Sequence, residues 1–310
     1  MRPLCACLFA LALVPAGLTA ADADKDKKVE ITGKGHRFFA ADYDKHIMAI
    51  IAADGAVEWS IHMDGGTHDA WMLPNGHILW TPSGDKVFDT DPKTGKQTLV
   101  YDSKGNGNEK QDVQDHGINP LPDGGVAIFE SGPKRVVEID KMGTVSKVLA
   151  LPIVNGDPHH HMRNSRKLAN GNYLLCLSAD SKVVEVDPQG KIVWTYATEK
   201  EAYSAVRLAN GNTLIGCGFA HKVVEVDPSG AVVWTVGEKD LPGISFAYVA
   251  QVERLPDGNT IIVNCHAGPG NPQLIEVDKD KKVVWSYRDF EHLGNATPVA
   301  FVLDAPGAVR

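Results

Sequence analysis

Short apolar runs broken by tight glycine turns recur along this chain at a near-constant interval. The turn glycines Gly76, Gly124, Gly171, Gly211, Gly258 and Gly307 are 48, 47, 40, 47 and 49 residues apart. Between them the runs are short and rich in Val, Ile, Thr and Trp, which suits half-buried strands rather than helices. A repeat of that length, made of strands and turns, predicts a β-propeller with one blade per repeat.

The segment from Ala205 to Val236 shows the unit most clearly. It reads as four strands: Ala205–Leu208, Asn212–Cys217, Lys222–Asp227 and Ala231–Val236. Asn210-Gly211 is expected to supply the positive φ of a type I′ hairpin turn between the first two. Asp227-Pro228-Ser229-Gly230 joins the last two, with Pro presetting one turn position and Gly taking the left-handed one. The same frame fits around Gly171 and Gly258, and more loosely around Gly76 and Gly124. Trp59, Trp194, Trp234 and Trp285 recur four residues past the turn into the last strand. Space filling between blades is the role expected of them.

The two ends complement each other. The N-terminal copy begins directly at a second-strand run, His36–Ala40, and lacks a first strand. The C-terminal copy holds a first-strand run, Pro298–Leu303, and nothing after it. The expectation is a single all-β domain over 35–310: a six-bladed propeller of four-stranded antiparallel blades, its ring closed when the C-terminal strand completes the N-terminal blade. Closure removes the free edges that an open array exposes.

Residues 1–20 stand outside this pattern. Arg2, an unbroken apolar run from Leu4 to Val14 and the small residues up to Ala20 read as a secretory signal peptide, too short for a membrane span. Residues 21–34 are expected to be a disordered charged leader. The mature protein is therefore expected to be periplasmic or secreted, without a transmembrane segment. Without Arg2 it carries 30 basic against 39 acidic residues, which argues against nucleic acid as a partner. Cys176, Cys217 and Cys265 fall on equivalent strands of successive repeats. Buried free thiols are the expectation, although an odd number in an oxidising compartment leaves disulfide pairing of two of them open.

The long connections, 102–115, 153–164, 238–250 and 265–272, all belong to one face of a propeller, and function on a rigid scaffold concentrates in such loops. His68 and His116 each stand eight residues before the turn glycine of their repeat. Arg163 and Tyr203 hold the same slot in the next two, and Tyr248 lies two residues from it in the sixth. These side chains are expected to ring one channel mouth. His68, His116, His161 and Arg163 are the candidate catalytic groups. Asp69, Asp115, His160, Asn164, Tyr203, Tyr248 and His266 are candidate ligand contacts. Neutral imidazoles from consecutive blades could hold a divalent ion such as Zn²⁺ through His68, His116 and His161. A water-filled polar mouth with no ligand accounts for the same residues. In extended chain at most two of His159, His160 and His161 face one ligand. The stretches Gly105–Asn108 and Gly268–Asn271 do not follow a strand and open a helix, so neither is a phosphate loop.

The hairpin Glu185–Trp194, with Leu168–Leu175 before it, resembles the PQQ-like propeller repeats of exported bacterial proteins, and the likeness spans nearly the whole mature chain. Quinone-using members of that superfamily have more blades, a Ca²⁺ site and adjacent cysteines; this chain departs from them in blade number and has no adjacent cysteines after residue 20. The repeats also resemble, at greater distance, bacterial arylsulfotransferases. That resemblance implies a rim histidine (His68, His116 or His161) carrying a sulfuryl group, with Arg163 and Asn164 stabilising its charge. At repeat level the chain is also similar to the propeller of the outer-membrane assembly machinery, which implies an interaction scaffold. The leading expectation is binding of a small ligand or a protein partner on the loop-rich face; sulfotransferase-like or hydrolytic group transfer and a scaffold role are the alternatives.

Overall fold

The computed structural model describes residues 29–310 apart from Ser83. The expected signal peptide and residues 21–28 of the leader lie outside the described residues. Strand β1 (Glu30–Gly33) comes first. Blade 1 then takes β2 (Phe38–Asp42), β3 (Ile47–Ile51) and β4 (Val57–His62), and blade 2 takes β5 (Asp69–Met72), β6 (Ile78–Thr81), β7 (Lys86–Thr90) and β8 (Gln97–Asp102). Blade 3 comprises β9 (Asp115–Pro120), β10 (Val126–Glu130), β11 (Arg135–Ile139) and β12 (Val145–Ala150). Blade 4 comprises β13 (Arg166–Lys167), β14 (Tyr173–Leu177), β15 (Lys182–Val186) and β16 (Ile192–Ala197). Blade 5 has β17 (Ser204–Arg207), β18 (Thr213–Gly216), β19 (Lys222–Val226) and β20 (Val232–Gly237), and blade 6 has β21 (Tyr248–Arg254), β22 (Thr260–Cys265), β23 (Leu274–Val277) and β24 (Val283–Arg288). The last strand, β25 (Val299–Val302), returns to the start. Among the described residues no helix is long and apolar enough to cross a membrane.

Ring closure occurs as the complementary ends predict. β25 is the innermost strand of blade 1, in the order β25-β2-β3-β4. It runs antiparallel to β2 with Phe39 opposite Phe301 and Ala40 opposite Ala300. The structure corrects the leader boundary, because residues 30–33 are ordered as a fifth strand on the outer edge of blade 6, pairing Glu30 with Arg288 and Gly33 with Trp285. An outer edge strand offers unpaired backbone groups, and β1 covers that edge here. The charged composition of the leader concealed a four-residue run, Glu-Ile-Thr-Gly, too short to register as a strand.

The core is divided among the junctions between blades, one apolar cluster to each. Phe38, Ile51, Trp285 and Tyr287 join blades 6 and 1; Phe39, Met48, Trp80 and Phe301 join blades 1 and 2. Inner strands therefore bury both faces, and β2, β10 and β14 are buried at every position. Outer strands such as β4 and β12 alternate between half-buried and exposed. This explains why inner strands read as continuous apolar runs while outer ones keep period two.

A polar lattice repeats at the junctions. Glu185, Glu225 and Glu276 each accept from an Asn of their own blade, Asn172 at 2.6 Å, Asn212 at 2.6 Å and Asn259 at 2.7 Å. Each also takes a basic group of the following blade: Arg207 at 2.7 Å, Arg254 at 2.8 Å and His36 at 3.0 Å. Trp194 and Trp234 donate their indole N–H to carbonyls of the next blade, Pro228 at 3.1 Å and Lys279 at 3.0 Å. These two of the recurring tryptophans thus tie neighbouring blades together as well as filling space, while the Trp285 indole N–H has no partner. Cys176, Cys217 and Cys265 are buried and unpaired.

Candidate functional site at the channel mouth

Because each blade starts at its innermost strand, the connections between blades bring the residues just before β5, β13, β17 and β25 to one end of the channel. A cavity of about 160 Å³ opens there, lined by Tyr43, His68, Arg163, Tyr203, Tyr248 and His266, with His159, His160, Glu201 and Phe219 among its other walls. Six of the candidate ligand contacts or catalytic groups named above, His68, His160, Arg163, Tyr203, Tyr248 and His266, therefore meet across blades 2, 4, 5 and 6.

A β-bulge places His116. The β9–β10 ladder pairs Gly117 with Phe129 and then Asp115 with Glu130, so His116 is the extra residue. A bulge bends the strand and re-aims the side chain it carries. His116 lies just behind the cavity, its ring edge-on to His68 at 4.8 Å between centroids and to His159 at 5.2 Å. Its Nδ1 is 3.2 Å from the Met162 carbonyl, which needs a donor there. Arg163 Nη1 lies against the same ring, 3.2 Å from Nδ1 and 3.4 Å from Nε2, so the guanidinium donates to the neutral imidazole. His68 Nδ1 is 3.1 Å from the Tyr203 hydroxyl, and the Tyr43 hydroxyl is 2.9 Å from His266 Nε2.

Burial, and then the Arg163 guanidinium, hold the imidazoles of His68 and His116 well below the ordinary histidine pKa. The same two causes push His159 down to about 4. Burial also raises the phenols of Tyr43, Tyr203 and Tyr248. At neutral pH the mouth thus presents neutral rings around one cation. Arg163 is 5 % exposed, stacks over Tyr203 at 5.9 Å, and leaves its Nε without a partner.

Several expected site residues sit elsewhere. Asp69 lies deeper in the channel, where Arg166 holds it through two bonds of 2.7 and 3.2 Å. Asp115 faces Glu130 between blades 2 and 3, with both carboxylate oxygens unpartnered, and its burial there raises its pKa well above the usual range. Side chains alternate along a strand, so the neighbours of His68 and His116 point away from the mouth. Asn164 is fully buried and does not line the cavity. His161 turns inward to the Ser131 carbonyl at 2.9 Å, whereas His159 joins the imidazole group. Residues 157–161 form a turn in which His160 and His161 N–H both donate to the Asp157 carbonyl, so alternation of extended chain does not apply. His160 stays at the rim beside Asp157 at 2.9 Å.

Sequence spacing missed Tyr43, Glu201 and Phe219. Tyr43 and Phe219 sit in the connections between second and third strands of blades 1 and 5, which reach the same mouth. Glu201 precedes β17 by three residues, a position the slot of Tyr203 would have suggested.

The expected metal triad does not form. Among the described residues no three His, Cys, Asp or Glu side chains converge with metal-ligating geometry, and a guanidinium among the imidazoles opposes a divalent cation. Three larger clefts lie elsewhere: two of about 580 and 530 Å³ around Trp71 and Arg310 at the opposite end, and one of about 770 Å³ around Pro74 and Pro122 between blades 2 and 3. At the opposite end the charges are mostly matched internally: Arg166 by Asp69, Arg207 by Glu185 and Lys167 by Glu138. Arg310 there has no ion pair among the described residues and leaves its Nη1 without a partner; the mouth cavity differs in gathering Arg163 with histidine and tyrosine rings.

A family profile described as Mal s 1 allergenic protein-like matches residues 29–267. No curated protein sequence matches the chain. Among solved structures, a protein of unknown function from Bacteroides caccae is 25 % identical with a TM-score of 0.73, covering 86 % of this chain and 98 % of that one. A streptogramin B lyase is 10 % identical, with a TM-score of 0.59 and coverage of 84 % and 87 %. A catalytically inactive virginiamycin B lyase from Staphylococcus aureus with quinupristin is 10 % identical, also at 0.59, with coverage of 86 % and 90 %. The two lyases share the fold alone. The matched family is not the PQQ-like one that the repeats suggested, since propeller turns of this kind report architecture rather than lineage. The chain is a six-bladed β-propeller that belongs to the Mal s 1 allergenic protein-like family.

Proposed function

We propose that this propeller binds a small organic anion at the channel mouth, with Arg163 as its receptor and the tyrosine and histidine rings as walls. One observation carries this reading. Arg135, Arg166, Arg207 and Arg254 each hold a carboxylate, whereas Arg163, nearly buried and lining the cavity, has no ion pair among the described residues; Arg310, which also lacks one, lies against the Trp71 and Phe301 rings and donates to the Ala70 carbonyl. A buried guanidinium without a counter-ion is costly, and a ligand carboxylate or sulfo group supplies the missing partner. Export, read from the first twenty residues, would place that ligand outside the cytoplasm.

The test is thermal unfolding with benzoate and 3-phenylpropionate, on wild type and on Arg163→Gln. A ligand at a hundred times its Kd stabilises by about 2.7 kcal/mol. Stabilisation of wild type alone supports the reading. Equal stabilisation of both proteins, or of neither, refutes it. The neutral imidazoles beside Arg163 favour a second reading, group transfer to a rim histidine. Release of 4-nitrophenol from its sulfate ester, lost in His68→Ala, would establish turnover; no release leaves binding as the function.

A further inference from the structure

Arg163 has an unpaired counterpart. Glu201, half-buried, lines the same cavity. Among the described residues it forms no ion pair; its Oε2 is 3.5 Å from the Ser178 hydroxyl and its Oε1 has no partner. Opposite charges sharing a space of about 160 Å³ attract strongly when water is scarce, so a free pair collapses into contact. These two are kept apart by aromatic rings. The guanidinium lies on the face of Tyr203, Tyr203 meets Tyr248 edge-on at 5.5 Å, and Tyr248 borders Glu201. Phe219, edge-on to Tyr248 at 4.7 Å, adds a second ring on the Glu201 side.

The mouth thus gathers a cation, a carboxylate and several aromatic rings around one cavity. An ammonium group is the ligand element that suits both a carboxylate acceptor and aromatic faces. A ligand carrying only an anion leaves Glu201 unmatched and brings a second negative charge towards it. We infer that the ligand is a small zwitterion, with its carboxylate on Arg163 and its ammonium on Glu201 against Tyr248 and Phe219. This rests on the anion-binding reading and narrows it to compounds of the amino-acid class.

Calorimetric titration of the full protein with two matched pairs tests it: L-phenylalanine against 3-phenylpropionate, and 6-aminohexanoate against hexanoate. The members of each pair differ chiefly by the ammonium group, and the pairs differ in charge separation. The expected result is at least tenfold tighter binding of one zwitterion than of its deaminated analogue. Glu201→Gln should erase that ratio while keeping the analogue's affinity, and Arg163→Gln should lose both. Wild-type binding of the analogues with no preference for either zwitterion overturns the inference and leaves the anion site standing. A preference that survives in Glu201→Gln also overturns it. Absence of binding by all four compounds removes the anion site together with the inference. The wild-type comparison stands alone should either variant fail to fold.

Discussion

Phe301→Ala tests whether the ring is held shut by its last strand. Phe301 lies on β25, is 3 % exposed, and stacks on Phe39 of β2 with ring centroids 5.0 Å apart. The Arg310 guanidinium covers its other face at 3.5 Å. Truncating a buried Phe to Ala removes its transfer free energy and leaves a cavity, together about 3–5 kcal/mol. Because β25 joins blade 1 only through β2, this loss falls on the closure itself. A single domain is stable by about 5–15 kcal/mol in total, so the change consumes about a fifth or more of the margin. Urea unfolding followed by tryptophan fluorescence reads the global effect, and amide exchange in β2 reads the local one. Val233→Ala on the outer strand β20, where the side chain is 52 % exposed, serves as control and should shift stability by no more than about 0.5 kcal/mol. The reasoning is refuted if Phe301→Ala moves the midpoint no further than the control and β2 amides stay protected.

Glu253 is buried beside β25, accepts the Val302 N–H at 3.1 Å, and is pushed up to about 7 by burial. Its unfolded form ionises near 4.5, so native stability should fall as pH rises from there through 7; Glu253→Gln should flatten that slope and add up to about 3 kcal/mol above pH 7 in urea titrations. His36 has its pKa raised, chiefly by its bond to Glu276. Its contribution is complete below pH 6.5 and lost as pH rises through the raised value, so His36→Gln should destabilise more at pH 6 than at pH 9. The depressed imidazoles of the mouth act in the opposite sense, because the unfolded chain takes up protons near 6.5 and the native mouth does not. Stability should therefore decline as pH falls from 6.5 towards 4, and Arg163→Gln should raise the His159 pKa from its value of about 4 in an NMR titration.

Architecture was legible because a propeller blade is a local unit. Asn170-Gly171, Asn210-Gly211 and Asp257-Gly258 set their hairpins with residues adjacent in sequence; the glycines adopt positive φ but Asn170, Asn210 and Asp257 do not, so the turns are not the type I′ expected. Closure was legible too, since a missing first strand and a surplus one are both visible in a single chain. The mouth was legible only as a slot. Spacing brought His68, Arg163, Tyr203 and Tyr248 together, yet it could not say which way a neighbouring side chain turns. Strand alternation turned Asp69 towards Arg166 and Asp115 into a buried position without a partner, and the bulge at His116 depends on a cross-strand register that no local pattern encodes.

The amino-acid sequence by itself determined the number of blades, their turns and the joining of the two ends, because strand length, apolar period and turn chemistry act within a few residues. Tertiary structure decided which charges are paired and which are left facing the cavity. Arg166 and Arg163 are three residues apart, and only packing across the channel gives Asp69 to one and leaves the other without a carboxylate. Pairing of buried charges is a matter of distances between separate blades, and those distances exist only once the ring has closed.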